Sequence, residues 1–218
     1  MQKNKTAYFI TGTDTDVGKT YIASALVRYF VQQGQTAVGM KPIAAGCEKI
    51  NGALRNADVS ALLAASNLAA RLEDVNPYAF ESAIAPHIAA EQVGVTVSLS
   101  KIKHAFDTLQ LQADVVIVEG AGGFRVPINP EQTMADLAAQ LNLPVIMVVG
   151  IRLGCINHAL MTAGSIKAAG LNLAGWVANR IDPDMPALAE NIQTLKAMIK
   201  APCIADVNWG AVPKFSGI

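Results

Sequence analysis

The chain has 218 residues, 52% of them hydrophobic and 16% charged. At roughly 150 residues per domain this implies one large domain or at most two small ones, far too apolar for a disordered chain. Seventeen basic and seventeen acidic residues cancel, which argues against a strongly basic nucleic-acid binder. Although mean hydropathy is +0.33, no apolar run reaches the ~18 residues of a membrane helix.

The polar start, Met1 to Thr6, leads into a strand-like run without a signal-peptide core. Residues 7–11 form the first expected strand. The segment Gly12-Thr-Asp-Thr-Asp-Val-Gly18-Lys19-Thr20 follows it and opens an amphipathic helix, which is the setting of a phosphate-binding loop. Loop amides and the helix N-terminus attract phosphate oxygens. Gly18 permits close approach, Lys19 neutralises the outer phosphates, and the Thr20 hydroxyl can ligate Mg²⁺. The usual spacing puts glycine at position 13, where Thr13 stands. Ile22, Leu26, Tyr29 and Phe30 share one face of the following helix, which Gly34 closes.

The second strand, 36–41, ends in Lys41 before Pro42. Ligands of doubly wound sheets gather beyond the carboxyl ends of the strands, so Lys41 is expected to share a crevice with Lys19 or to be a solvated strand-end lysine. From Ala44 to Val97 the pattern is irregular and is expected to dress one sheet edge; within it, Asp58 reads by pattern as a carboxylate at a helix N-terminus. Leu99, Ile102, Phe106 and Leu109 mark another helix. Strand 114–119 ends in Glu119 and a glycine run; Glu119 reads either as a solvated strand-end carboxylate or, favoured beside a phosphate loop, as one that can hold Mg²⁺. Thr133 with Asp136 reads as an N-cap with an acidic first turn.

The greasiest stretch, Val145 to Ile151, marks strand 144–150, and Gly170 closes the next helix. Strand 173–179 ends in Asn179-Arg180; an asparagine amide can read a base edge, or simply occupy a turn. Leu188, Ile192, Leu195 and Ile199 form the last helical stripe, with Pro186 suited to its first turn, and 203–207 is the last strand. Trp176 reads as core, and Trp209 as a tail residue that packs or stacks on a ligand. His87, His104 and His158 share no ligand spacing. Cys47, Cys155 and Cys203 form no CxxC pair, so neither a disulfide framework nor a zinc site is expected, and a cytoplasmic setting is. The continuous apolar strands alternating with amphipathic segments predict a single α/β domain over 1–218. Its sheet is expected to be doubly wound and mainly parallel, with helices on both faces, like the P-loop nucleoside triphosphatases.

Several segments resemble the dethiobiotin synthase family: residues 11–20, Lys41-Pro-Ile-Ala-Ala-Gly46, Arg55-Asn-Ala-Asp58, Asn76-Pro-Tyr78, Ala85-Pro-His87, Val118-Glu-Gly-Ala-Gly-Gly123, Leu153-Gly-Cys-Ile-Asn-His158 and Gly175-Trp-Val-Ala-Asn179. They span nearly the whole chain in order, and the offset phosphate loop is itself a family trait. The resemblance implies a homodimer that uses ATP and Mg²⁺ to convert 7,8-diaminopelargonate and CO₂ into a cyclic urea, through a carbamate and a carbamic-phosphoric anhydride. It implies nucleotide binding by Asp16, Val17, Gly18, Lys19, Thr20, Tyr21, Gly120, Ala121 and Gly122, and by Asn179, Arg180, Asn208, Trp209 and Gly210 on the base side. Thr20, Asp58 and Glu119 are implied Mg²⁺ ligands. Lys41, Lys19 and Thr15 are implied catalytic residues. Ala45 joins Thr15 and Lys41 at the substrate, while Gly154, Cys155, Ile156 and Asn157 are expected to receive the substrate carboxylate of the neighbouring subunit.

The sequence departs from the family at three points. Ala45 replaces a frequent serine, Arg152 a common lysine, and Asn208 a frequent proline. The chain also ends at Ile218, before much of the family's tail, so weakened base selectivity is expected. No nucleic-acid or membrane partner is expected. The main rival is a partition or site-selection ATPase of the same superfamily, but its signature lysine, five residues before the loop lysine, is here Asp14. A glutamine amidotransferase would need a further domain with a nucleophilic cysteine.

Overall fold

The computed structural model describes residues 5–218; Met1 to Asn4, and with them most of the polar start, lie outside the described residues. In chain order the elements are β1 (Thr6–Gly12), α1 (Lys19–Gln32), β2 (Ala37–Met40), β3 (Ile43–Ala44), β4 (Glu48–Ile50), β5 (Ala53–Arg55), α2 (Ala57–Ala65), α3 (Leu72–Val75), β6 (Tyr78–Ala79), α4 (Pro86–Gln92), α5 (Leu99–Gln112), β7 (Val115–Gly123), α6 (Met134–Leu141), β8 (Val145–Ile151), α7 (Cys155–Ala168), β9 (Leu173–Arg180), α8 (Leu188–Met198) and β10 (Cys203–Val207). All six expected strands are present within two residues at most ends, except that β7 runs on through its glycines to Gly123. They form one sheet in the order β10-β9-β8-β1-β7-β2, with every pairing parallel.

The strands read as unbroken apolar runs because both faces are covered. Phe9, Val116, Val118, Val145, Met147 and Val149 face a core closed by α5, α6, α7 and α8. Ile10, Val115, Ile117, Ile146 and Val148 face α1 and Leu62 of α2. The stripe Leu99, Ile102, Phe106 and Leu109 is wholly buried, each side chain contributing roughly 1.5–3 kcal/mol. In α1, Ile22, Leu26 and Phe30 are buried, while Tyr29 is half-buried with its ring edge-on to Phe215, 5.9 Å away.

Local signals mostly act as expected. Thr133 and Asp136 form a reciprocal capping box at α6, and Gly34 and Gly170 follow the C-caps of α1 and α7. Pro186 differs: α8 starts at Leu188 with Ala187 as N-cap, so the proline precedes the helix instead of opening it. The irregular stretch between β2 and α5 holds α2, α3, α4, the parallel pair β3–β6 and the hairpin β4–β5. All three cysteines are free, and no helix among the described residues is long and apolar enough to cross a membrane.

Sheet order positions the site. β1 lies between β7 and β8 while its own continuation, β2, lies beyond β7, so the chain direction reverses around β1. A crevice opens at such a switch point, beyond the carboxyl ends of the strands.

Candidate active site

The segment after β1 wraps over that crevice. Gly18 is the N-cap of α1 with φ 89°, a left-handed conformation glycine adopts without a Cβ penalty. Thr13 N–H donates to Val148 O at 3.0 Å, and the Val17 side chain is buried against Gly150 of β8. A Cβ on Gly150 would stand 2.8 Å from Val17 Cγ1, so glycine there makes room for the loop. Lys19 Nζ donates to Asp14 O at 2.8 Å, folding the lysine back over its own loop. Thr15 N–H donates to Asp14 Oδ1, and the half-exposed Arg152 pairs with Asp14 Oδ2.

Register brings the second charge cluster in. Met40 pairs with Val118 and Ile10 with Glu119, so Lys41, one residue past β2, comes alongside Glu119. Its Nζ lies 2.5 Å from Glu119 Oε1 and 2.9 Å from Asp58 Oδ2, with Gly120 O at 3.5 Å. Lys41 is therefore no solvated strand-end lysine; it is 5% exposed. Thr20 Oγ1 donates to the same Glu119 Oε1 at 2.7 Å.

Burial acts to lower the pKa of Lys41, but Glu119 and Asp58 outweigh it and the net shift is upward. Asp58 is the mirror case: burial pushes it up, and the Lys41 ammonium brings it below the usual carboxylate value. Lys19 has no carboxylate in contact; burial and then the Lys41 charge lower its pKa to about 8.

Thr15, Asp16, Gly18, Lys19, Thr20, Tyr21, Lys41, Ala45, Asp58, Glu119, Ala121 and Gly122 all line one cleft of about 940 Å³. Val17, Gly120 and Asn179 do not line the cleft but bond residues that adjoin or line it: Asn179 donates to Val17 O, next to Gly18, and Lys41 to Gly120 O. Other candidates lie elsewhere. The Arg180 guanidinium is engaged by Asp206 in two hydrogen bonds of 2.8 and 2.9 Å. Asn208, Trp209 and Gly210 follow β10; Trp209 is 65% exposed, and Tyr21 Oη, donating to Ala211 O at 2.6 Å, ties this tail to α1. Gly154, Cys155, Ile156 and Asn157 form the start of α7 and do not line the cleft of their own chain. The Cys155 side chain is buried and its N–H donates to Arg152 O at 3.0 Å, so Cys155 offers little to an anion in this conformation.

The donor set fits a hard divalent cation such as Mg²⁺. Its atoms are all oxygens, from one hydroxyl and two carboxylates. Glu119 Oε2 is buried without a hydrogen-bond partner, and the Lys41 ammonium already stands where a cation would neutralise both carboxylates. Among the described residues no three His, Cys, Asp or Glu side chains gather into a metal cage.

Two positioning residues escaped the sequence reading. Asn56 caps α2, accepting from Asp58 N–H at 3.0 Å and Val59 N–H at 3.3 Å, and so sets where the Asp58 carboxylate emerges. An asparagine before an apolar run is a recognisable N-cap signal. Asn76 donates to Lys41 O at 2.6 Å and steadies that strand end across 35 residues of chain, for which no local signal exists.

Fold and site together define a P-loop nucleotide-binding α/β protein with a second lysine and two carboxylates at the switch point. A family model described as an AAA domain matches residues 6–212. The structure is similar to the signal recognition particle receptor FtsY from Elizabethkingia anophelis with GDP (TM-score 0.55, 16% identity, all of this chain and 62% of that longer one). It is also similar to the MinD cell division protein of Aquifex aeolicus (TM-score 0.55, 14% identity, 92% of this chain and 80% of that one). These likenesses establish the fold alone. The sequence is 51% identical to the ATP-dependent dethiobiotin synthetase BioD of Aromatoleum aromaticum, over 97% of this chain and 92% of that protein. It is also 51% identical to the Cellvibrio japonicus protein of the same name, over 98% and 91%. The chain belongs to the dethiobiotin synthetase family.

Proposed function

We propose that this chain is an ATP-dependent dethiobiotin synthetase of biotin biosynthesis, converting 7,8-diaminopelargonate and CO₂ to dethiobiotin with release of ADP and phosphate. The observation that carries the reading is the convergence of Lys19 and Lys41 on one cleft with Thr20, Asp58 and Glu119. A triphosphate needs that much positive charge, and phosphoryl transfer demands positioning and neutralisation more than covalent help. The substrate supplies its own nucleophile. One amine takes up CO₂ as a carbamate, whose oxygen attacks the γ-phosphorus while the bond to ADP breaks. The second amine then attacks the carbamoyl carbon and expels phosphate.

In this reading the loop amides and Lys19 bind the phosphates, after Lys19 leaves Asp14 O. Lys41 offers its ammonium to charge growing on the transferred group, and Thr15 orients the carbamate. Thr20, Asp58 and Glu119 would hold Mg²⁺, which when bound would neutralise charge on the β- and γ-phosphate oxygens. Asn179 and the tail residues Asn208, Trp209 and Gly210 face the base, with Arg180 at the same strand end. Ala45 lines the cleft without a hydroxyl to offer the substrate. The start of α7 serves the partner's substrate in a homodimer working in the cytoplasm.

Phosphate release, with the diamine and bicarbonate supplied or withheld in turn, tests the reading. A synthetase needs both; release that needs neither would make the chain a switch ATPase.

A further inference from the structure

The phosphate loop is held from below by a side chain remote in sequence. Asn179, at the end of β9 and 7% exposed, donates its amide N–H to Val17 O at 2.8 Å. Its Nδ2 lies only 2.3 Å from where a Cβ on Gly18 would stand, so the carboxamide and the bare α-carbon of Gly18 are fitted to each other. Because Val17 O is an acceptor, the nitrogen end of the amide must face it.

The consequence lies in the peptide between Val17 and Gly18. A trans peptide is planar, with its C=O and N–H pointing in opposite directions. Pinning Val17 O inward onto Asn179 therefore aims Gly18 N–H outward, and Gly18 lines the cleft. Glycine tolerates both orientations of the preceding peptide. Without the pin the peptide can flip and present a carbonyl oxygen to the phosphates. A further polar tie of the loop, Arg152 with Asp14, is half-exposed and correspondingly weak.

We propose that Asn179 is a positioning residue for phosphate binding: it locks the Val17–Gly18 peptide in the orientation that turns an N–H to the triphosphate. This role rests on the nucleotide reading of the cleft and goes beyond any contact Asn179 makes with a base. It is also separable from such a contact, because the amide has a donor end for the loop and an acceptor end for a base.

The test compares two ligands, Mg²⁺–ATP and Mg²⁺–tripolyphosphate, the latter having no base. Binding of each is measured calorimetrically to the full chain and to Asn179→Ala and Asn179→Asp. The aspartate is close in size but cannot donate to Val17 O at neutral pH. The expected result is that both variants weaken tripolyphosphate roughly tenfold and ATP by at least that factor. Weakened ATP with unchanged tripolyphosphate would reduce Asn179 to a base contact and overturn the proposal. Unchanged affinity for both ligands would overturn it too. Failure of the unmodified chain to bind tripolyphosphate would remove the phosphate-loop reading, and this inference with it. A measurement needing no variant uses ¹⁵N-glycine-labelled chain: the Gly18 amide proton should move downfield as Mg²⁺–tripolyphosphate binds, and a static resonance would overturn the proposal.

Discussion

Lys41 is where the charge balance of the cleft turns. Its ammonium neutralises Glu119, which is 1% exposed, and partly neutralises Asp58. Removing one partner of a buried pair leaves the other charge uncompensated. Lys41→Met should therefore lower stability in urea melts by about 3–5 kcal/mol, with Mg²⁺ restoring part of the loss. Its rate should fall far more than its ATP affinity; equal losses would mean that Lys41 only binds the ground state. Lys19 differs, since in the resting loop it bonds only a backbone oxygen. Lys19→Ala should leave the melt nearly unchanged and reduce phosphate release by roughly two to three orders of magnitude. Near-normal turnover would reject its place on the phosphates. Lys19 was legible from its motif. The pairing of Lys41 was not, because 17 and 78 residues separate it from the carboxylates that hold it.

At the scale of elements, periodicity and capping account for nearly everything. Continuous apolar strands and i, i+3, i+4 stripes mark where both sheet faces are covered. Leu109, fully buried on α5, should cost about 2–5 kcal/mol when cut to alanine, read from the denaturation midpoint. At α6, Thr133 and Asp136 hold each other and the first turn. Either alanine variant should cost about 1 kcal/mol, and the double variant less than the sum. The Thr133 hydroxyl bond and local backbone bonds hold the mostly exposed Asp136 carboxyl below its ordinary value. Its contribution is therefore present above the unfolded carboxylate pKa and is lost as pH falls through the depressed folded one. An acid melt of Asp136→Asn should lack that component. Pro186 shows the limit of such signals: a proline compatible with a first turn is equally compatible with the residues before it.

For the whole molecule, the surface question is what meets α7. Leu153, just ahead of the helix, is 90% exposed and Met161 is 66% exposed, beside the segment expected to serve a neighbouring subunit. Apolar side chains of this size flanking a helix start suit a second copy of the chain. Sedimentation should give a dimer, and Leu153→Asp with Met161→Glu should yield monomers without synthetase activity. A fully active monomer would separate α7 from the site.

The sequence alone determined the phosphate loop, the six parallel strands, the helix stripes and the α6 capping pair. Each depends on side chains within about one turn or one strand of each other, or on their period along the chain. Only the tertiary structure decided that Lys41 lies between Glu119 and Asp58, that Arg180 pairs with Asp206, and that the Asn179 amide donates to Val17 O. Those contacts join strand ends brought side by side by sheet order and register. A residue's neighbours across a parallel sheet are set by the crossover path, which no local pattern encodes.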